Sequence, residues 1–272
     1  MNQSVSVWKI AYGLAFGAII SVAYLFVKLR GSDGGLDLFC LASVAIFIGH
    51  LIIWPKLTLA GIMDWKMMIR GLLYGLTQVL IFKSQAHGST STALIAATTG
   101  NVFGAILGRL ILKEKLYGVA LLAATICASA AFTNPNILIV SYWGLIGGFI
   151  QGLGFVLARS IMIEKKSIRQ SISTGFFFAA AISVAVLLLD QKGMTFLFNV
   201  RWNNVAFTVA IAVLVQYGFF YLFKILDSQR ASLLALSRIP SAIGIESVLF
   251  GRLISVSQGV SAVLILIGHP GR

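Results

Sequence analysis

Ser171-Ile172-Ser173-Thr174-Gly175-Phe176-Phe177-Phe178-Ala179-Ala180-Ala181-Ile182-Ser183-Val184-Ala185-Val186-Leu187-Leu188-Leu189 contains no Asp, Glu, Lys or Arg, and Arg169 and Asp190 stand at its two ends. An α-helix crosses the hydrocarbon of a bilayer with about 20 apolar residues. The run therefore has the length and composition of a membrane span. Working outward from it, comparable runs occupy residues 7–28, 36–54, 67–86, 91–112, 116–133, 137–160, 204–224, 231–249 and 254–268, which makes ten with residues 171–189. The connections are short and leave no room for a separate soluble domain. Backbone N–H and C=O groups find no partner in lipid, so these segments are expected to be helices. Ten-residue alternating segments, the mark of a membrane barrel, are absent.

Composition agrees. Of 272 residues, 58% are hydrophobic and 11% charged, against about 25% charged in a soluble domain. The net charge of +13 lies in short segments between apolar runs. It reads as a topology signal and a contact for anionic lipid rather than for nucleic acid. With the N-terminus placed inside, fourteen Lys/Arg residues fall on the inner side and six on the outer, leaving Arg238 within a span. Both termini are thus expected in the cytoplasm, in a multi-pass protein of the cell (inner) membrane. The first run is too long for the core of a signal peptide and is expected to remain as a span. Cys40 and Cys127 lie in apolar runs without the spacing of a metal site or a disulfide pair, and no cofactor is expected.

The chain repeats itself. Tyr12-Gly13-Leu14-Ala15-Phe16-Gly17 is answered by Tyr142-Trp143-Gly144-Leu145-Ile146-Gly147-Gly148. Phe82-Lys83 is answered by Phe223-Lys224, and Gly108-Arg109-Leu110-Ile111 by Gly251-Arg252-Leu253-Ile254. These pairs divide the chain into residues 1–135 and 136–272, five spans each, joined near Thr133-Asn134-Pro135-Asn136. Five is odd, so the second unit crosses in the opposite sense. Inverted repeats place a site between the halves near the midplane and allow alternating access. Gly100, Gly104 and Gly108 in the fourth span, and Gly144, Gly148 and Gly152 in the sixth, have the four-residue spacing that lets helices approach closely in a membrane. Two readings of this spacing stand, static packing seams and smooth sliding surfaces. A phosphate-binding loop at Gly147–Gly154 is rejected, because the segment lies inside a span and lacks the strand and the Lys such a loop needs.

Asn101-Val102-Phe103-Gly104-Ala105-Ile106-Leu107-Gly108-Arg109-Leu110-Ile111-Leu112-Lys113-Glu114-Lys115-Leu116, followed by Gly118, resembles the signature of the drug/metabolite transporter superfamily, EamA-type branch. That signature is a Pro-led apolar helix ending in Leu-Gly-Glu, then a helix with an early Gly. Pro240-Ser241-Ala242-Ile243-Gly244-Ile245-Glu246-Ser247-Val248-Leu249-Phe250-Gly251-Arg252, followed by Gly259, resembles a second copy. Asn101 stands where Pro is usual, Lys113 replaces the Gly of the first Leu-Gly-Glu, and Arg252 replaces the Glu of the second. The resemblance implies ten helices and export or exchange of small metabolites, with the substrate left open.

Charged residues inside spans are costly and mark cavities or partners. Arg238 in the ninth span either meets an anionic substrate group or snorkels to the cytoplasmic side. Glu246, the one carboxylate well inside a span, either serves substrate or proton coupling or pairs with Arg252 or Lys83. Pro240 between them allows a kink. Thr98, Thr99, Asn101, Gln78, Gln151, Gln216, Tyr217 and Tyr221 are further polar candidates, although such a residue alone more often serves as an interhelical hydrogen bond than as a ligand. No catalytic constellation is present, so a carrier of a small polar metabolite such as an amino acid or related organic anion is expected, not an enzyme. The alternative is a flippase of lipid or lipid-linked substrate, or a non-transporting subunit. Partners are expected to be the substrate and membrane lipids, with the chain a monomer or homodimer.

Overall fold

The computed structural model describes residues 7–31, 35–97, 99–115, 118, 138–189, 201–226, 231 and 238–251. Of these, 91% are helical and none lies in a strand. The helices are α1 (Val7–Arg30), α2 (Leu36–Ile53), α3 (Pro55–Met63), α4 (Trp65–His87), α5 (Thr90–Ala96), α6 (Thr99–Leu112), α7 (Leu138–Ile163), α8 (Ile168–Leu189), α9 (Trp202–Ile225) and α10 (Arg238–Phe250). Among the described residues, five segments are long and apolar enough to cross a membrane: Leu36–Ile53, Ala93–Leu112, Tyr142–Ile163, Ile168–Leu189 and Trp202–Ile225. The expected fifth and tenth spans, Thr98, Cys127, Arg252 and the junction at 133–136 lie outside the described residues.

Two boundaries differ from the sequence reading. The segment between the second and third expected spans folds into α3. Pro55, whose missing N–H costs nothing in a first turn, starts it after Trp54, and Asp64 ends it. Asp64 then caps α4, its carboxylate accepting from the amides of Lys66 (3.0 Å) and Met67 (3.2 Å). Within the expected fourth span the described helices are α5, ending at Ala96, and α6, starting at Thr99. Pro240 is helical within α10, and residues 232–237 before that helix lie outside the described residues.

The surface is apolar and the interior holds many polar groups. Leu110, Ile111, Leu189 and Val248 are exposed, whereas Thr77, Gln78, Ser171, Thr208, Gln216 and Arg238 are buried. This inversion suits a chain whose outer solvent is hydrocarbon. α4 is long, at 23 residues, yet is not among the apolar segments, because it carries Lys66, Arg70, Gln78, Lys83 and Gln85. It packs along α7 on one side and α8 on the other, while α6 lies on α7, α2 on α8 and α9, and α1 on α10 and α9.

Glycines make the closest of these contacts possible. Gly100 and Gly104 of α6 face Gly148 and Gly152 of α7. A Cβ on Gly152 would stand 2.6 Å from the Gly100 carbonyl oxygen and 2.9 Å from the Gly104 nitrogen. Gly148 meets Thr99 and Ala97, and Gly144 meets Ala96 and Ser84. Gly108 is buried farther along α6. Gly71 and Gly75 bring α4 against Thr174 and Phe178 of α8 in the same way.

α6 stops at Lys113, which has φ 56°, and α10 stops at Gly251, which has φ 60°. Both helices therefore end on a left-handed residue, the conformation in which glycine is favoured. This is the physical sense of the Gly that Lys113 replaces. The turn is closed by the Glu114 amide donating to the Gly108 carbonyl, and Arg159 of α7 pairs with the Glu114 carboxylate at 3.2 Å.

Two expected outcomes follow. Gly152→Leu forces apart two backbones and lowers stability by about 1–3 kcal/mol, read as unfolding in mixed micelles, whereas Gly49→Ala, which meets nothing within 4 Å, leaves the midpoint in place. Lys113→Gly relieves a left-handed conformation and raises stability by about 0.5–1 kcal/mol; an unchanged or lowered midpoint would contradict the cap.

Candidate functional site

A cavity of about 90 Å³ lies among α1, α4, α7 and α9, with Phe39 of α2 contributing to its wall. Each helix supplies one stripe at helical spacing. α4 offers Arg70, Leu73, Tyr74, Thr77, Gln78 and Phe82; α1 offers Ile20, Ala23, Tyr24 and Val27; α7 offers Gln151, Gly154, Phe155 and Ala158; α9 runs from Thr208 through Gln216 to Phe223. From Arg70 to Gln78 the cavity follows α4 for about 12 Å.

Arg70 is its one charged lining residue and is 6% exposed. Nη1 donates to the Ser171 carbonyl at 3.1 Å and Nη2 to Gln216 Oε1 at 2.8 Å. The guanidinium lies against the rings of Tyr74 (5.2 Å) and Phe220 (4.6 Å). Tyr74 and Gln216 also share a side-chain hydrogen bond. Gly175 makes room for the group, since a Cβ there would stand 2.7 Å from Nη1. No carboxylate among the described residues pairs with Arg70. Farther along, the Tyr24 hydroxyl donates to Gln78 Oε1 at 2.7 Å.

The candidates named from sequence divide into groups. Gln78, Gln151 and Gln216 line the cavity together. Arg238 is 2% exposed and stands behind them: Nη2 reaches Gln151 Oε1 at 3.4 Å, Nε has no partner, and its carbonyl accepts from Ser21. Glu246 is away from the cavity, where its carboxylate accepts the first amide of α5, Thr90 N, at 2.9 Å. Asn101 is buried on α6 with Nδ2 unpartnered, also away from the cavity. Tyr217 is half-buried on α9, and its neighbour Gln216 takes the inward position. Tyr221 is exposed.

Sequence reasoning missed Arg70, Tyr24, Tyr74, Thr77 and Thr208. Arg70 was counted as an inner-side topology charge because it lies one turn after Lys66, near the start of a span. The available signal was the stripe Arg70, Tyr74, Thr77, Gln78, which repeats at the helical period on a helix otherwise apolar in its middle.

One turn before Arg70, an ionic cluster ties α4 to the loop joining α7 and α8. Lys66 pairs with Glu164, and Lys166 contacts Asp64 at 2.5 Å and Glu164 at 3.4 Å. Hydrogen bonding from Lys66 holds the Glu164 carboxyl below its usual range. Burial pushes Asp64 upward, but Lys166 and the Met67 and Lys66 amides outweigh it and leave that carboxyl lowered. Asp64 in turn raises the Lys166 ammonium.

No protein-family model matches the chain, and no curated protein matches it. Among solved structures 27 chains match. One, described only as "Crystal structure of protein", superposes with a TM-score of 0.68 at 15% identity, over 96% of this chain and 95% of that chain. The likeness shows that this arrangement of helices, nearly end to end, also occurs in an experimental structure; at that identity it shows the fold alone.

The cluster yields a pH prediction. The contribution of the lowered carboxyls is present above the ordinary carboxylate range and lost as pH falls through their lowered values. That of raised Lys166 is present up to the ordinary lysine range and lost as pH rises beyond it. The difference in stability between the parent and Lys166→Met is expected to be flat from about pH 5 to about pH 10 and to shrink outside that window. Its plateau is at most about 1 kcal/mol per pair, because the groups are largely solvated. A difference that peaks near neutrality would contradict the assignment.

Proposed function

We propose that the chain is a secondary transporter of a small polar metabolite, an amino acid or related organic anion, working by alternating access. In this reading ten helices form two inverted five-helix repeats in the cell membrane, with both termini cytoplasmic, the chain acting as a monomer or homodimer. The observation that carries it is the position of the polar cavity. α1 and α4 from residues 1–135 and α7 and α9 from residues 136–272 enclose it, and these are the helices that the repeat equates, α1 with α7 and α4 with α9.

The packing supports the same exchange. Swapping α1 with α7, α2 with α8, α4 with α9 and α6 with α10 turns the contact of α4 with α7 into that of α9 with α1. It turns α4 on α8 into α9 on α2, and α6 on α7 into α10 on α1, and leaves α2 on α8 unchanged. The matching left-handed stops at Lys113 and Gly251 fit the same correspondence. A site on such an axis can be opened to either side by rocking one half against the other. The glycine faces suit that motion, since they present little side chain to interlock.

Within the cavity, Gln78, Gln151 and Gln216 supply donors and acceptors for a water-soluble solute, and Arg238 braces Gln151 from behind. A lipid carrier would be served by an apolar groove rather than by this set of amides. Any coupling to protons is assigned to Glu246, whose carboxylate joins α10 to the start of α5.

Proteoliposomes loaded with metabolite pools, assayed with and without an imposed pH gradient, test the proposal. The parent accumulates or exchanges at least one solute; Gln151→Leu and Arg238→Ala, if well expressed, lose most of that flux; Glu246→Gln keeps exchange but loses gradient-driven accumulation. Full transport by Arg238→Ala removes its role, and equal accumulation in parent and Glu246→Gln removes the coupling assignment.

A further inference from the structure

We infer that the cavity selects an organic acid with an apolar or aromatic body, its carboxylate seated on Arg70, and rejects the corresponding amino acid. This rests on reading the cavity as the substrate site and narrows the solutes named above.

The electrostatic state of Arg70 is the first argument. A guanidinium stays protonated in a protein and has five N–H donors. Protein atoms take two of these, and both acceptors, the Ser171 carbonyl and the Gln216 amide oxygen, are neutral. The group is thus buried, charged and without a carboxylate among the described residues, an arrangement that is costly in a membrane protein. It also opens onto a cavity. A carboxylate arriving there gains charge-assisted hydrogen bonds from a planar fork already held by Ser171, Gln216 and the flanking rings of Tyr74 and Phe220.

The second argument is the remainder of the wall. Eight of the 23 lining residues are aromatic, and none is Asp or Glu. Phe82, Phe155 and Phe223 give an apolar body surface to cover. An ammonium beside the carboxylate would lose its hydration to amide oxygens and ring faces only, while lying close to the positive charge of Arg70. Glu246, the carboxylate that sequence singled out for an amine, is engaged at Thr90 instead.

Binding to the detergent-solubilised full chain, measured by calorimetry and thermal stabilisation, tests the inference independently of transport. The probes share one body: 3-phenylpropanoate, 3-phenylpropanamide and phenylalanine. The carboxylate is expected to bind, with the amide and the amino acid each roughly tenfold or more weaker. Because Arg70→Met could fail to fold, the decisive variant is Gln216→Glu, which places an internal carboxylate beside Nη2. It should keep or raise thermal stability while abolishing the preference for 3-phenylpropanoate over its amide. Arg70→Lys should weaken the carboxylate by a similar factor. The inference is overturned if the amide or phenylalanine binds as well as the acid, if Gln216→Glu leaves the preference intact, if inorganic phosphate displaces the acid at lower concentration, or if the acid does not bind at millimolar concentration. Preference for the acid without any flux in proteoliposomes would sink the transport reading and leave this one standing. Flux that favours amino acids would do the reverse.

Discussion

The fold depends on how closely α4 approaches α7 and α8. α4 is the least apolar of the long helices and could not face lipid with Arg70, Gln78 and Gln85 on its surface. Gly71 and Gly75 let it lie against the α8 backbone, and Gly147 of α7 meets it near Thr77 and Leu80. Enclosed in this way, its polar stripe turns inward. The neighbouring helices complete a cavity around that stripe instead of filling it with side chains. The glycine contact of α6 with α7 performs the same service for α7, holding Gln151 and Phe155 at the cavity wall.

The polar interior has a graded character. At one end, Arg70 is a charge answered only by neutral groups. In the middle, Gln78 accepts from Tyr24, and Arg238 supports Gln151 from the second row. Towards the other end, Phe39 and Phe82 close the wall with aromatic surface. Each guanidinium is also placed by a small residue or a backbone carbonyl: Gly175 clears space for Arg70, and Ser21 holds the backbone of Arg238. Substitutions at these supporting positions would displace the guanidinium groups without altering them.

Much of the architecture could be read from residue order. Runs such as 171–189 appear as helices at close to the expected bounds because length and apolarity alone decide whether a segment can satisfy its backbone in lipid. α6 and α10 are each followed by a left-handed residue, Lys113 and Gly251. The facing glycines at 100, 104, 148 and 152 could be anticipated as contact-forming residues, but not which helix each would meet. The site was legible only in part. Gln78, Gln151 and Gln216 stood out as polar residues in apolar runs. Arg70 did not, since a charge near a span's end has an ordinary explanation at the interface. Glu246 drew notice for its rarity, yet its carboxylate is engaged by a helix start some 150 residues away in the chain.

Sequence by itself determined that this chain is helical and membrane-like in composition, because those properties follow from hydrophobic length. Tertiary structure decided which polar residues share a space. Whether Arg70 points to water, to lipid or to a cavity depends on the rotation of α4 about its axis, and that rotation is set by Gly71, Gly75 and Gly147 meeting two other helices. A pairing between residues far apart in the chain, such as Arg70 with Gln216, exists only once those helices have packed.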